Sequence, residues 1–157
     1  MVETTTANRE IVITRVYDAP RELVFDAWTS TEHLHKWWGP RGFTTTTHSM
    51  DFRPGGMWRF IMHGPDGTDY PNRITYTEIV RPEHLLYEHS DDEEGGLPHF
   101  LGIITFADRD GKTELTLKSI FPTAEARDFV VEKYGAIEGG NQTLDRLGEY
   151  LAGKESK

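Results

Sequence analysis

The sequence predicts an α+β fold in which a seven-stranded, curved antiparallel sheet wraps around one long C-terminal helix. Three observations predict it: seven segments rich in β-branched and aromatic residues, a C-terminal stretch with helical spacing, and connections too short for crossover helices. The 157 residues fit one domain, which we expect over residues 9–152, with flexible tails at 1–8 and 153–157.

The first strand and two short helices occupy the N-terminal part of the chain. Residues 9–17 (REIVITRVY) are rich in β-branched residues and predict a strand. Apolar residues then recur at helical spacing until Gly39-Pro40 ends the pattern, which predicts two short helices before the second strand. Their apolar positions are Leu23, Val24, Ala27, Trp28, Leu34, Trp37 and Trp38. Of the adjacent pair Trp37 and Trp38, we expect one indole in the core and one at a rim.

Six further strands follow, because the hydrophobic period changes from 3.6 to two. Turn residues separate them, and Asp110-Gly111 gives the clearest hairpin signal. We expect bulges at Gly55-Gly56 and at Asn72, which would sharpen the curvature of the sheet. The predicted strands are 43–52, 57–63, 73–80, 85–89, 99–106 and 113–121.

After Phe121-Pro122 the period returns to 3.6 over about thirty residues, which predicts the long covering helix. Three glycines interrupt it, Gly135, Gly139 and Gly140. They either permit a kink or let the helix lie close to the sheet. We expect one long helix with an irregularity near Gly139-Gly140. Its apolar stripe contains Val130, Tyr134, Ile137, Leu144, Leu147 and Leu151, with Asn141 among them.

The inner face of the sheet combines large aromatic side chains with polar groups, which is typical of a ligand cavity. The alternative is that these polar groups face the open mouth of the sheet or are paired inside a packed core. A dry cavity of ~300 Å³ would cost about 7 kcal/mol, so the cavity must be collapsed, wet or occupied. Alternation of side chains predicts these inward residues: Trp58, Phe60, Met62, Tyr76, Glu78, Leu85, Tyr87, His89, Ile104, Phe106, Leu115, Leu117 and Ser119.

Several short strings, in order along the chain, point to a family. They are Tyr17-Asp-Ala-Pro-Arg-Glu-Leu-Val24, Ala27-Trp-Thr29, Trp37-Trp-Gly-Pro40, Arg53-Pro-Gly-Gly56 followed by Trp58-Arg-Phe60, and Leu144-Asp-Arg-Leu147 with Leu151. From about Arg9 to Leu151 the chain resembles the bacterial proteins similar to the C-terminal domain of the activator of the ninety-kilodalton heat-shock-protein ATPase. That family belongs to the START-like (SRPBCC) superfamily. The resemblance implies a helix-grip fold, a bacterial source and a link to stress response.

Composition excludes several classes of function. The net charge of −9 disfavours nucleic acid and anionic membranes, and the absence of cysteine excludes disulfides and thiolate sites. No apolar run reaches the length of a membrane helix and no signal peptide begins the chain, so we expect a cytoplasmic protein. The seven histidines lack metal-ligand spacing, and no serine lies in a nucleophile elbow. We therefore expect no metal and no cofactor.

We expect the chain to bind a small hydrophobic molecule, lipid-like or aromatic and polyketide-like, between the sheet and the C-terminal helix. An alternative is a cyclase or isomerase that uses Glu78, buried beside tyrosines, as its acid or base. The other is a protein-interaction module of the co-chaperone type, with a chaperone as partner. We expect a monomer, or a homodimer paired through the first strand. The candidate ligand-binding residues are Trp38, Phe43, Trp58, Phe60, Tyr76, Glu78, Tyr87, His89, His99, Tyr134 and Ile137.

Overall fold

A computed structural model describes residues 9–91, 98–134 and 136–155. Within these ranges the chain forms seven strands and four helices, and two short helices follow the first strand as predicted. The strands are β1 (Glu10–Tyr17), β2 (Thr44–Met50), β3 (Met57–His63), β4 (Asp69–Val80), β5 (His84–Asp91), β6 (Pro98–Arg109) and β7 (Lys112–Ile120). The helices are α1 (Arg21–Asp26), α2 (Thr31–Trp37), α3 (Ala124–Tyr134) and α4 (Ala136–Glu155).

All seven strands form one curved antiparallel sheet in the order β1-β7-β6-β5-β4-β3-β2. From β2 to β7 each strand pairs with the next along the chain, because the short connections leave room only for hairpins. β1 pairs with β7, with Glu10 opposite Ile120 and Tyr17 opposite Thr113. The predicted α+β fold with a seven-stranded antiparallel sheet is confirmed, and β1 and β2 are its edges.

A bulge forms where β3 begins. The Gly55 amide donates to the Tyr76 carbonyl at 2.7 Å, and the Tyr76 amide donates to the Gly56 carbonyl at 2.9 Å. Gly55 and Gly56 therefore both lie opposite the single residue Tyr76, which defines a bulge. A Cβ on Gly56 would lie 2.1 Å from the carbonyl oxygen of Asp51, so only glycine fits there. The predicted bulge at Gly55-Gly56 is confirmed. The bulge predicted at Asn72 is wrong, because Asn72 pairs in regular register with both neighbouring strands.

A second irregularity in β4 changes which side chains face the core. The register passes from Tyr76 opposite Tyr87 to Glu78 opposite Leu86, which leaves Thr77 as an extra residue. One extra residue reverses the side of the sheet on which the following side chains lie. Tyr76 is buried whereas Glu78 is exposed. The predicted inward orientation of Glu78 is therefore wrong.

The C-terminal segment is helical over α3 and α4, and the irregularity predicted near Gly139-Gly140 is wrong. Both of these glycines lie inside α4. A Cβ on Gly140 would lie 2.7 Å from Cδ1 of Ile13, so this glycine lets α4 approach β1 closely. The Tyr17 hydroxyl donates to the Leu144 carbonyl at 2.8 Å and joins the same two elements.

The hydrophobic core lies between the inner face of the sheet and the helices. α4 contributes Leu144, Leu147 and Leu151, and the α1–α2 region contributes a second apolar layer. The fully buried large side chains include Val24, Phe25, Leu34, Trp37, Trp58, Phe60, Leu85, Ile104, Phe106, Leu115, Leu144 and Leu147. The core thus joins all parts of the sheet to both helical regions.

Candidate ligand-binding site

The inner face of the central strands is a layer of aromatic side chains. Trp58 and Phe60 on β3 are each 1% exposed, and Tyr76 and Tyr87 on β4 and β5 are also buried. Alternation predicted all four of these inward positions correctly. Burial raises the pKa of both tyrosine hydroxyls far above the usual range, so they stay neutral at physiological pH.

Trp38 is the centre of the aromatic cluster at the end of α2. Its indole is half-buried and makes edge contacts with Trp28, Trp37, Trp58 and Phe60 at centroid distances of 5.8, 5.6, 5.2 and 6.0 Å. Trp37, by contrast, is fully buried. The expectation of one buried and one partly exposed indole is confirmed.

A small void lies within this cluster, with a volume of about 10 Å³. It is bounded by the sheet on one side and by the α1–α2 region on the other. The predicted cavity lay against the C-terminal helix, whereas no residue of α3 or α4 whose side chain the structure describes lines this void. Its lining residues are Trp28, Leu34, Trp38, Trp58, Ile74, Tyr76, Leu85 and Tyr87.

Of the four tryptophans, two donate their indole N–H to the protein and two find no acceptor within the described part of the chain. Nε1 of Trp37 donates to the Ala27 carbonyl at 3.1 Å, and Nε1 of Trp58 donates to the Thr47 hydroxyl at 3.0 Å. Nε1 of Trp28 and Nε1 of Trp38 are buried without an acceptor among the described residues. Both unpaired donors belong to side chains that line the void.

The loop that follows Trp38 is held by Arg146 of α4. Nη1 of Arg146 donates to the Gly39 carbonyl at 2.9 Å and to the Pro40 carbonyl at 3.2 Å. The carbonyls of Trp38 and Phe43 lie 3.4 Å from the same nitrogen. Partial burial and the neighbouring Arg41 lower the pKa of the Arg146 guanidinium. A charged side chain of the C-terminal helix therefore holds the backbone of the Trp37-Trp-Gly-Pro40 segment in position.

A second cavity opens at one end of the sheet. This groove has a volume of about 230 Å³ and is lined by Arg9, Phe100, Leu101, Ile120, Phe121 and Pro122. The only charged side chain among these described lining residues is Arg9, whose Nη1 donates to the Phe121 carbonyl at 2.6 Å. Sequence reasoning missed the groove, because it forms where three chain segments meet.

A row of aromatic rings joins the groove to the void. Centroid distances along it are 5.1 Å from Phe121 to Phe100, 4.8 Å from Phe100 to His89, and 6.1 Å from His89 to Phe60. Phe60 stacks on Trp58 at 3.9 Å, and Trp58 contacts Trp38. His89 is half-buried, and its Nε2 lies 2.9 Å from Oδ1 of Asn72.

Several predicted site residues do not line the void. Glu78 faces solvent, and its carboxylate lies 3.1 Å from Nε2 of His84. Ile137 on α4 is 38% exposed and does not line the void. Phe43 is half-buried and packs with Tyr70 at a centroid distance of 6.0 Å.

The predictions for His99 and Tyr134 concern side chains that lie outside the described residues.

Four residues that the predicted site omitted line the void, namely Trp28, Leu34, Ile74 and Leu85. For Leu85 a signal was present, since alternation placed it inward. Trp28 and Leu34 followed only a helical period, which does not indicate the surface that a helix covers.

The described residues contain no group of three or more metal-ligating side chains. Among the described helices, none is long and apolar enough to span a membrane.

The sequence matches a family described as Activator of Hsp90 ATPase homolog 1-like protein over residues 18–152. The chain belongs to this family. The resemblance predicted from the short sequence strings is thus confirmed. No curated protein matches the chain.

Solved structures of other proteins share the fold. A protein from Mycobacterium smegmatis is 27% identical, with a TM-score of 0.85 and 98% of each chain covered. A protein from Nitrosomonas europaea is 24% identical, with a TM-score of 0.85, covering 96% of this chain and 99% of that one. The AHSA1 protein from Silicibacter pomeroyi is 19% identical, with a TM-score of 0.71, covering 92% and 99%. The START-like helix-grip architecture therefore extends over nearly the whole chain.

Proposed function

We propose that the chain binds a small, mainly apolar molecule, aromatic or lipid-like, between the inner face of the sheet and the α1–α2 region. The row of rings from Phe121 to Trp38 carries this proposal, because it links a groove of about 230 Å³ to the void in the aromatic cluster. Ligand cavities are lined mainly by apolar and aromatic side chains with a few polar groups. The neutral hydroxyls of Tyr76 and Tyr87 and the imidazole of His89 supply such groups.

The binding site is collapsed in the free protein. A void of about 10 Å³ costs only about 0.2 kcal/mol at roughly 24 cal/mol per Å³, whereas an empty, dry ligand-sized cavity would cost about 7 kcal/mol. A guest must therefore displace rings as it binds. Trp38 is the side chain that moves, because it is half-buried and lies at the end of α2, while Trp58 and Phe60 are held in a central strand.

The test is a thermal-shift and native mass-spectrometry screen of fatty acids, flavonoids and polyketide-like aromatics. A guest at 100 times its Kd stabilises the native state by about 2.7 kcal/mol, which corresponds to a Tm increase of roughly 5–10 °C. Quenching of tryptophan fluorescence should accompany this increase, since tryptophans line the void. A panel without any saturable shift and without a co-purifying mass contradicts the proposal.

Two substitutions of exposed residues test the route of access. Leu101→Trp should fill the groove and slow association about tenfold or more, because Leu101 lines the groove and is 44% exposed. Val16→Trp is the matched control, since Val16 is 61% exposed on β1 and does not line the groove. Equal association rates in both variants would exclude the groove as the route.

The acid–base alternative has less support, because Glu78 is exposed and paired with His84 outside the enclosed site. Glu78→Gln should therefore leave guest binding unchanged.

The second candidate function is a protein-interaction module for a chaperone. The family description names an activator of a chaperone ATPase. Two apolar side chains are also exposed on the C-terminal helices, Phe129 of α3 at 52% and Ile137 of α4 at 38%. Stimulation of a chaperone ATPase by the purified chain, lost on Ile137→Asp, would support this function.

A further inference from the structure

We propose that the guest is an amphipathic monocarboxylate, whose carboxylate pairs with the guanidinium of Arg9 at the groove while its apolar part extends towards the row of rings. This inference rests on the proposed function and names the chemical class of its ligand. Three features of the groove carry it: apolar side chains at its other described lining positions, a single cation among them, and a fixed position of that cation.

Arg9 is held beside the groove by its backbone and by the tip of its side chain. The Phe121 amide donates to the Arg9 carbonyl at 2.8 Å, and Nη1 of Arg9 donates to the Phe121 carbonyl at 2.6 Å. That carbonyl belongs to the peptide group between Phe121 and Pro122, and both of these residues line the groove, as Arg9 does. The guanidinium is therefore already ordered before a guest arrives, which lowers the entropic cost of pairing with it.

Most donors of this guanidinium are still available. An arginine side chain has five N–H donors in a fixed planar fork, and Nη1 of Arg9 uses one of them on the Phe121 carbonyl. The edge formed by Nε and Nη2 has no acceptor among the described residues. A carboxylate accepts two parallel N–H bonds from such an edge, and these charge-assisted bonds are the strong ones.

The two cavities differ in which end of an amphipathic guest they suit. Leu101 in the groove is 44% exposed, so an anion beside it keeps contact with water as well as with Arg9. The described lining of the void contains no charged side chain, and an anion buried there without a cation would be strongly disfavoured. The carboxylate therefore stays at Arg9, and the apolar end points towards Phe100, whose ring lies 4.8 Å from that of His89.

The size of the groove sets the size of a suitable probe. Its volume of about 230 Å³ corresponds to roughly eight groups at about 30 Å³ each, the volume of a water molecule in the liquid. A linear acid of about eight carbons therefore fills the groove before any ring of the cluster has to move.

The experiment compares three probes of one chain length: octanoate, octanamide and octylammonium. Calorimetry at neutral pH and physiological salt measures their affinities. The net charge of −9 favours the cation at long range, so a preference for octanoate reports a local cation. We expect octanoate to bind about tenfold more tightly than octanamide, and octylammonium to bind most weakly. The Nε–H signal of Arg9 in the ¹⁵N-labelled protein, assigned with Arg9→Lys, should move most with octanoate.

The ratio of octanoate to octanamide affinity is then measured in three variants. We expect it to fall to about one in Arg9→Met and to recover in part in Arg9→Lys. Arg109→Met is the matched control, because it removes the same charge near the other end of β6. Leu101 and Arg109 lie roughly 26 Å apart at about 3.3 Å per residue, well beyond the Debye length of about 8 Å. The ratio should therefore persist in Arg109→Met.

The outcomes separate this inference from the proposed function. Equal binding of octanoate and octanamide, with an unmoved Arg9 signal, overturns the inference and leaves the proposed function standing. A ratio that persists in Arg9→Met, or that falls as far in Arg109→Met, also overturns it. If Arg9→Met fails to fold, the Arg9 signal of the unmodified protein decides the question. Absence of binding by all three probes counts against both.

Discussion

Tyr87 lies against the backbone of the neighbouring strand because the residue opposite it, Gly102, has no side chain. The two residues are register partners between β5 and β6. A Cβ on Gly102 would lie 2.2 Å from Cζ of the Tyr87 ring and 2.7 Å from its hydroxyl oxygen. The position of the Tyr87 ring in the wall of the void therefore depends on Gly102, which does not itself line the void.

Gly102→Ala should destabilise the fold by about 1–3 kcal/mol, because the added methyl group must displace the buried Tyr87 ring. The midpoint of urea unfolding measures this change. Gly153→Ala is the control, since a Cβ there meets nothing within 4 Å and the residue lies in α4. It should be neutral or stabilising by up to about 1 kcal/mol. Equal midpoints for the two variants would contradict this account.

Also at the residue scale, alternation along the strands predicted the inward orientation of aromatic side chains correctly and that of one charged side chain wrongly. Trp58, Phe60, Tyr76 and Tyr87 alternate regularly along their strands and are buried as predicted. Glu78 was placed inward by the same rule and is exposed, because the extra residue Thr77 shifts the register. Apolar burial reinforces the pattern, whereas no sequence signal marks this bulge.

The attachment of α4 to the loop between α2 and β2 is the main feature at the scale of elements. Arg146 reaches the carbonyls of Gly39 and Pro40, and Arg41 forms a salt bridge to Glu149 at 2.5 Å. The hydrogen bond to Arg41 lowers the pKa of the Glu149 carboxyl. Both contacts join the same two segments, but only Arg146 is partly buried.

Arg146→Met should therefore destabilise the fold by about 1–3 kcal/mol, because the loop carbonyls lose a charged donor. Arg146→Lys should restore part of this loss. The matched control is Arg41→Met, which removes an exposed ion pair and should cost less than about 1 kcal/mol. Urea unfolding gives the free energies, and tryptophan fluorescence reports the position of Trp38. A smaller loss in Arg146→Met than in Arg41→Met would refute this explanation.

The order and type of most elements could be predicted, because each segment has its own hydrophobic period. The role of the glycines in the C-terminal segment could not be predicted from the sequence. Gly140 serves close packing against Ile13, which depends on the position of β1 in space. A glycine in a helical pattern has the same sequence signal whether it breaks the helix or lets another element approach.

For the whole molecule, the buried tyrosines predict a dependence of stability on alkaline pH. Burial raises the pKa of Tyr17, Tyr76 and Tyr87 above the value of about 10 expected in the unfolded chain. Below pH 10 both states keep these protons, so the contribution to stability is complete. Above pH 10 the unfolded state loses them first, and stability is lost as the pH rises towards the folded-state pKa values.

Between pH 10 and 11 the free energy of unfolding should fall with a slope approaching about 4 kcal/mol per pH unit from the three groups. Urea unfolding at pH 9, 10 and 11 measures it. Tyr76→Phe should reduce the slope by about one third. A free energy that stays constant from pH 9 to 11 would show that these hydroxyls ionise freely in the folded state.

The family is established over residues 18–152 and the fold over the described residues, while other properties of the molecule stay predictions. These are the single domain over residues 9–152, the cytoplasmic location, and the monomeric or homodimeric state. The edge strand β1 exposes Val12 and Val16 and is where a dimer would form.

The sequence by itself determined the order of the strands along the chain, the two short helices and the C-terminal helical region, because hydrophobic period and turn residues are local signals. Its short sequence strings pointed to the family. Only the tertiary structure decided that a void of about 10 Å³ lies within the aromatic cluster, that Glu78 lies outside it, and that two indole donors have no acceptor among the described residues. The physical reason is that these features depend on the register between strands and on side-chain packing. A shift of one residue, or the rotation of one ring, changes them without altering the sequence pattern.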